Sequence, residues 1–359
     1  MLVLDRQADR ILWLDMLRVV SCICVIGLHV LGGQWYVTDL YGDQWSIINE
    51  YRAVFQFAVP TFLMISGYLN IKSANISITF YMRKALYVLG VYLFWSFFYL
   101  LLKIPFVDID LGSISGIFLQ VVACDNHLWY LRVYIFLLLL TPFLKGIAFH
   151  KNGKNLVEYF LALLFVLVYV RETWCLFDFP AFKYIEALFA GMQIDHLTGS
   201  LKYIAYYLLG YYIAEYVPKL SWVPLLVTIT VFCVTTGAEL NSHFSRESGT
   251  LVQIYSDHFS LPIFFECFTI FYIFSHELSK IQIKDKCKTI ITSLAKRTPG
   301  IYLLHWTLTF CVDHLGLSLI PNIPSILIPI SAIAIFFMFY LIVTTINHIP
   351  FFPKGILLE

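Results

Sequence analysis

Two histidines and three arginines stand inside stretches that otherwise hold almost only apolar side chains: His29, His305, Arg18, Arg52 and Arg132. An ionisable group inside a bilayer helix costs several kcal/mol, so each is a candidate for chemistry by default. The spacing from Arg18 to His29 returns the histidine to within about 20° of the arginine's helical face, with a rise of about 16 Å between them. Asp15 stands one turn before Arg18 and can pair with it. This suits a ligand with an anionic head at one membrane surface and a reactive end deep in the protein. The guanidinium would hold the head. The imidazole would face the reactive end. The plainer reading is an interfacial Asp–Arg pair with a hydrogen-bonded histidine in a helix contact.

Other apolar runs add candidates. Pro60-Thr61-Phe62-Leu63-Met64-Ile65-Ser66-Gly67-Tyr68-Leu69 combines a kink with small residues that suit close helix packing, and Arg52 precedes it. His127-Leu128-Trp129-Tyr130-Leu131-Arg132 places two aromatic residues where an interfacial belt would explain them, and an arginine that no belt calls for. Glu266 is a carboxylate in mid-run and could pair with a buried arginine. Pro299-Gly300-Ile301-Tyr302-Leu303-Leu304-His305 puts His305 about 10 Å inside a span that starts at the proline. Asp15, Tyr68, Trp129, Arg132, Arg52 and Glu266 are therefore candidate substrate-binding residues, and His29, Arg18 and His305 candidate catalytic ones. The cysteines show no metal-ligand spacing, and no metal is expected. Cys124 and Cys175 could pair across the outer side if that side is oxidising.

The elements that must position these residues follow from composition. Of 359 residues, 60% are hydrophobic and 13% charged, with 32 Phe and 23 Tyr. A soluble domain carries roughly 25% charge, so too little polar surface remains to cover a water-soluble globule. An all-α polytopic membrane protein fits, and the net charge of +1 gives no reason to expect nucleic acid as a partner. Ten runs approach the roughly 20 residues that a crossing needs. They are 12–32, 48–69, 83–103, 128–148, 156–171, 200–217, 222–237, 260–276, 299–317 and 324–346. The short run 112–123 is expected to be interfacial or re-entrant, and 171–199 and 238–259 to be outer loops. With the N-terminus cytoplasmic, 16 of the 24 Lys and Arg fall on inner segments and five on outer ones, as the positive-inside rule requires. Both termini are then cytoplasmic. Six of the inner basic residues lie in a loop between Lys280 and Arg297. The first run carries Arg18 and His29 and lacks a cleavage site, so it is expected to be a span and not a signal peptide. No repeat or linker divides residues 1–359, and a single transmembrane domain without an appended soluble domain is expected.

Together these residues resemble the bacterial integral-membrane acyltransferase-3 family. The matches are Arg18-x10-His29 after Leu14-Asp15-x-Leu17, Pro60-x-Phe62-x3-Ser66-Gly67-Tyr68-Leu69, His127-Leu128-Trp129-Tyr130-Leu131, Leu209-Gly210-Tyr211-Tyr212, and Gly300-Ile301-Tyr302-Leu303-Leu304-His305. They occur in the family's order along essentially the whole chain. The resemblance implies an acyl-CoA donor, usually acetyl-CoA, and a cell-surface glycan or lipid-linked sugar as acceptor, in the inner membrane of a bacterium. It implies catalysis by His29, with Arg18 assisting it or binding the donor. The chain looks like the family's stand-alone type. His29 would act as a general base on an acceptor hydroxyl, and an acyl-histidine intermediate on it is an alternative route. A transporter or flippase of a lipid-linked sugar would also carry buried Arg, His and Glu, but the paired broken helices of inverted repeats are not evident. An acyltransferase acting on a protein, amino-acid or lipid acceptor shares the same donor chemistry.

Overall fold

The computed structural model describes residues 10–75, 77–107, 113–123, 127–174, 184, 202–315, 326–349 and 354–358. Cys124, Cys175 and most of 171–199 lie outside the described residues. Among the described residues every regular element is a helix, as a chain that must satisfy its backbone within a bilayer requires. The α-helices are α1 (Leu12–Val37), α2 (Asp43–Phe55), α3 (Ala58–Lys72), α4 (Ile78–Lys103), α5 (Ile114–Val122), α6 (Trp129–Ala148), α7 (Gly153–Leu164), α8 (Arg171–Trp174), α9 (Ile204–Tyr216), α10 (Val223–Ser248), α11 (Leu261–Tyr272), α12 (Asp285–Leu304), α13 (Trp306–His314) and α14 (Leu327–His348). Eight helical stretches among them are long and apolar enough to cross a membrane. Exposed Leu86, Phe94 and Phe97 on α4, Ile229 and Phe232 on α10, and Ile333 and Phe337 on α14 suit contact with lipid.

Several expected boundaries move. The run 48–69 is two helices broken at Gln56–Phe57. Pro60 has no amide to offer the Gln56 carbonyl, and its ring crowds that carbonyl four residues back. The segment 238–248, expected in a loop, continues α10 to Ser248, where Gly249 ends the helix at φ +66. The basic loop expected between Lys280 and Arg297 is largely the exposed first part of α12. Pro299 therefore lies inside this helix instead of opening it, and the Thr298 hydroxyl donates to the Ala295 carbonyl that the proline cannot serve, at 2.9 Å. The runs 200–217 and 299–317 correspond to the short α9 and the α12–α13 pair, which are not among the eight long stretches. The last described segment folds back on the bundle: Leu357 is buried, and the Gly355 and Ile356 carbonyls accept from Tyr87 and Trp95 of α4.

Two buried cores lie side by side. One joins the first half of α1 with α3, α9 and α11, and the other joins the second half of α1 with α2, α4, α12 and α14. Helix α6 contributes to both, and Phe55, Phe62, Tyr130 and Tyr302 touch both. In the first core α3 and α9 meet backbone to backbone. A Cβ on Gly67 would lie 1.8 Å from the Tyr207 carbonyl oxygen, and one on Gly210 would lie 2.2 Å from that of Met64. Small residues make this approach possible, and it brings together two of the segments quoted above for the family resemblance.

Candidate active site

The break between α12 and α13 builds the centre of the site. His305 is the hinge residue, and carbonyls beside the break accept from side chains, that of Ile301 in addition to its helical bond from the His305 amide. Tyr99 of α4 donates to Leu303 at 2.5 Å, Thr307 donates to Leu304 at 2.7 Å, and His305 Nδ1 lies 3.1 Å from the Ile301 oxygen. A carbonyl only accepts, so Nδ1 of His305 carries the proton and Nε2 presents a lone pair. His29 Nδ1 lies 2.8 Å from that Nε2 and must be the donor. The two rings are nearly parallel, with centroids 4.9 Å apart. The chain of donors leaves His29 Nε2 as a free lone pair. His305 is fully buried and His29 half-buried, so His29 is the member that can meet a substrate.

A third imidazole completes the cluster. His127, at the head of α6, lies edge-on to His29 and His305 at 5.9 and 5.3 Å and stacks on Trp306 at 5.7 Å. Both its ring nitrogens are buried without a hydrogen-bond partner. Tyr302 donates to its backbone carbonyl, which ties α12 to α6. Despite three neighbouring imidazoles, no set of three His, Cys, Asp or Glu among the described residues is placed to hold a metal ion.

From the histidines a row of tyrosines leads toward the N-terminal end of α1. Tyr302 lies 6.1 Å from His305 and 5.7 Å from Tyr130, and Tyr130 stacks on Tyr134 at 6.2 Å. Both α6 tyrosines are within electrostatic reach of Arg18. Arg18 donates to Asp15 at 3.0 Å. The Asp15 carboxylate, 1% exposed, also accepts from Arg10 at 3.1 Å and from Thr292 of α12 at 3.4 Å. Asp15 therefore anchors two guanidiniums and fastens α1 to α12, while Arg18 keeps about a quarter of its side chain exposed (26%).

At the opposite end of α1, Arg52 of α2 stacks on Trp35 at 4.4 Å and lies within electrostatic reach of both His29 and His258. Trp129 contacts Tyr203 and His258 at 5.6 and 5.9 Å. Arg132 is half-buried one turn further along α6. Two candidates stand apart from the histidines. Tyr68 packs on Trp13, and its hydroxyl accepts from Lys72, which pairs with Glu215 at 2.6 Å. Glu266 is buried with one carboxylate oxygen unpartnered, and it forms no ion pair with a described arginine.

The spacing of α1 exposed the Arg18–His29 axis, whereas three participants were not singled out as site residues. His127 and Tyr302 lay within motifs quoted for other reasons. His258 precedes α11 in a stretch expected to be loop, with no periodic signal of its own.

Comparison with curated proteins and with solved structures yields no match. A family model, Acyl_transf_3, described as an acyltransferase domain, matches residues 11–347. That match runs from the turn before α1 almost to the end of α14 and takes in every residue of the histidine cluster, so the chain belongs to the acyltransferase-3 family.

Proposed function

We propose that the protein transfers an acetyl group from acetyl-CoA to a hydroxyl of a cell-surface glycan or lipid-linked sugar, in the inner membrane of a bacterium, with His29 as general base. The observation that supports this reading is the hydrogen-bond chain from His29 Nδ1 through His305 to the Ile301 carbonyl, which orients the His29 ring and puts its lone pair on Nε2. The acceptor hydroxyl gives its proton to Nε2 as its oxygen bonds to the thioester carbonyl. The tetrahedral intermediate then collapses, the C–S bond breaks, and the departing thiolate takes the proton from Nε2. A base so placed contributes about 10²–10⁴-fold. In the acyl-histidine route Nε2 bonds to the thioester carbonyl carbon, the C–S bond breaks and the thiolate departs; the acceptor hydroxyl then attacks the acyl-imidazole, the C–N bond breaks, and the hydroxyl proton passes to the thiolate.

Arg18 suits the phosphates of the donor: it is a partly exposed guanidinium about 16 Å along α1 from His29, comparable to an extended pantetheine arm. The tyrosine row between them would flank that arm. Arg52, Trp129 and Arg132 lie toward the other end, where an acceptor would approach His29.

The test is incubation of the purified protein with radiolabelled acetyl-CoA, with and without extracted surface glycolipids. Label should pass to a sugar only when donor, acceptor and His29 are all present. A His29→Ala protein that folds, binds donor and retains full transfer refutes the assignment of His29. A protein that neither binds nor hydrolyses acetyl-CoA refutes the donor.

A further inference from the structure

The Arg52 guanidinium has no carboxylate partner among the described residues. It rests instead on the Trp35 ring, half-buried, at the end of the bundle opposite Arg18. Arg18 by contrast is held by the Asp15 carboxylate. An arginine withdrawn from water without a counterion leaves its N–H donors and its charge to be matched by something that arrives. Within its electrostatic reach, through His258, stands an aromatic cluster that the paired histidines do not use. Trp129, Tyr203 and His258 touch one another, with centroids at 5.6, 5.9 and 6.1 Å. The cluster is tightly braced. The Tyr203 hydroxyl and His258 Nδ1 are 3.0 Å apart, and Tyr206 donates to the His258 carbonyl at 2.5 Å. Either tautomer of His258 leaves Nε2 available to a hydroxyl, since Nδ1 is occupied by Tyr203. Asp257 is the carboxylate next to this cluster, and it is exposed and engaged with the Phe259 amide at 2.9 Å.

An indole face set among braced polar rings is suited to the C–H face of a pyranose, whose weakly positive hydrogens rest on the negative π face. An unpaired guanidinium in reach of both His258 and the base His29 calls for an anion close to the acylated position.

We propose that Arg52, Trp129, Tyr203 and His258 form an acceptor subsite for a negatively charged sugar, in which the pyranose lies against Trp129 and its carboxylate or phosphate is held by Arg52. This rests on the acceptor being a glycan, and it adds that the accepted glycan is anionic near the hydroxyl to be acylated.

The test is calorimetric titration of the full-length protein in lipid nanodiscs, without donor, using methyl glucuronide, glucose 1-phosphate and neutral methyl glucoside. One charged sugar should bind wild type about 10- to 100-fold more tightly than methyl glucoside, the range of one charge-assisted hydrogen bond. Which one does so separates carboxylate from phosphate. Arg52→Gln should bring charged and neutral sugars to equal affinity, Arg52→Lys should keep part of the preference, and Trp129→Ala should weaken both kinds alike. Equal binding of all three sugars by wild type, no binding of any, a preference that survives Arg52→Gln, or Trp129→Ala binding like wild type overturns the subsite. Should Arg52→Gln fail to fold, the three titrations of wild type still decide. Because donor is absent, the outcome separates from the transfer reading. Acetyl transfer without charge preference removes only the subsite, and charge-selective binding by a protein that never uses acetyl-CoA removes only the transfer.

Discussion

Replacing His305 by leucine should disable His29 without touching it. In the native protein the His29 Nδ1–H is accepted by His305 Nε2 at 2.8 Å, and His305 itself is fully buried. Leucine fills similar space but leaves that N–H without an acceptor, facing the buried position that His305 occupied. An unsatisfied buried donor costs about 1–3 kcal/mol, and each 1.4 kcal/mol or so is tenfold in rate. Loss of orientation alone therefore lowers kcat by about 5- to 150-fold. If the His29 proton moves to Nε2 to escape, the lone pair is lost as well, and the full 10²–10⁴-fold or so of a general base goes with it. A fall in kcat of about 10²-fold or more is expected. KM for the acyl donor should stay within about threefold, because Arg18 lies some 16 Å away along α1. His305→Gln separates positioning from packing: its amide oxygen can accept from His29 and its amide nitrogen can donate to Ile301, so kcat should return to within about tenfold of wild type. The assay is steady-state transfer of labelled acetyl, paired with ¹⁵N NMR of the His29 ring to read which nitrogen holds the proton. A folded His305→Leu protein with wild-type kcat, or His305→Gln no better than leucine, refutes the role of that hydrogen-bond chain.

Three further outcomes follow from the same geometry. Arg18→Gln should raise KM for acetyl-CoA about tenfold with little change in kcat, read from steady-state kinetics, since the lost contact is a charge-assisted bond remote from the reacting carbon. Gly67→Ala should lower thermal stability in detergent: its Cβ would stand 1.8 Å from the Tyr207 carbonyl where ordinary contact begins near 3.4 Å. The overpacking cost of about 1–3 kcal/mol or more then exceeds the gain of about 1 kcal/mol in helix propensity. Tyr99→Phe removes the hydroxyl that serves the Leu303 carbonyl at 2.5 Å. It should cost about 1–3 kcal/mol in a denaturant titration and lower kcat, because the carbonyl it abandons lies in the break that aims His305.

Legibility in the sequence tracks how local the physics is. The apolar runs announced the helices, and the 3.6-residue period put Arg18 and His29 on one axis, because both signals reside within one segment. Gly67 could be read as a packing residue, and it does pack, but its partner Gly210 could not be assigned without the fold. Pro60 and Pro299 illustrate the limit. Pro60 marks a kink in sequence and the helix does break beside it, whereas Pro299, which reads as a helix start, lies inside α12, where the Thr298 hydroxyl serves the freed carbonyl. The break that matters for chemistry, at His305, carries no proline or glycine of its own. It depends on the Tyr99 hydroxyl from α4, more than 200 positions away in the chain, and no local pattern encodes that. His258 was missed for the same reason: its companions Trp129, Tyr203 and Arg52 come from three other elements.

The placement of His29 also explains why its helix must belong to both cores. If His29 is the proposed base, the centre of one tightly packed bundle would make it unreachable, and the lipid face would expose it to hydrocarbon. Helix α1 gives Leu17 and Val25 to one core and Cys22, Ile26 and Val30 to the other, so His29 lies on a helix shared by the two cores while both flanks of that helix remain packed. Along that helix the ends are charged differently. Arg18 and Arg10 are bound to a buried carboxylate at one end, and Arg52 has no carboxylate partner among the described residues at the other. A donor and an acceptor that both carry negative charge could then approach the same imidazole from opposite ends without sharing a path. Their reacting atoms would meet at His29 while their charges, held about a helix length apart, would not oppose the encounter. The asymmetry makes the two guanidiniums separable in experiment: neutralising Arg18 should weaken the donor's affinity and leave the acceptor's unchanged, and neutralising Arg52 should weaken the acceptor's affinity and leave the donor's unchanged.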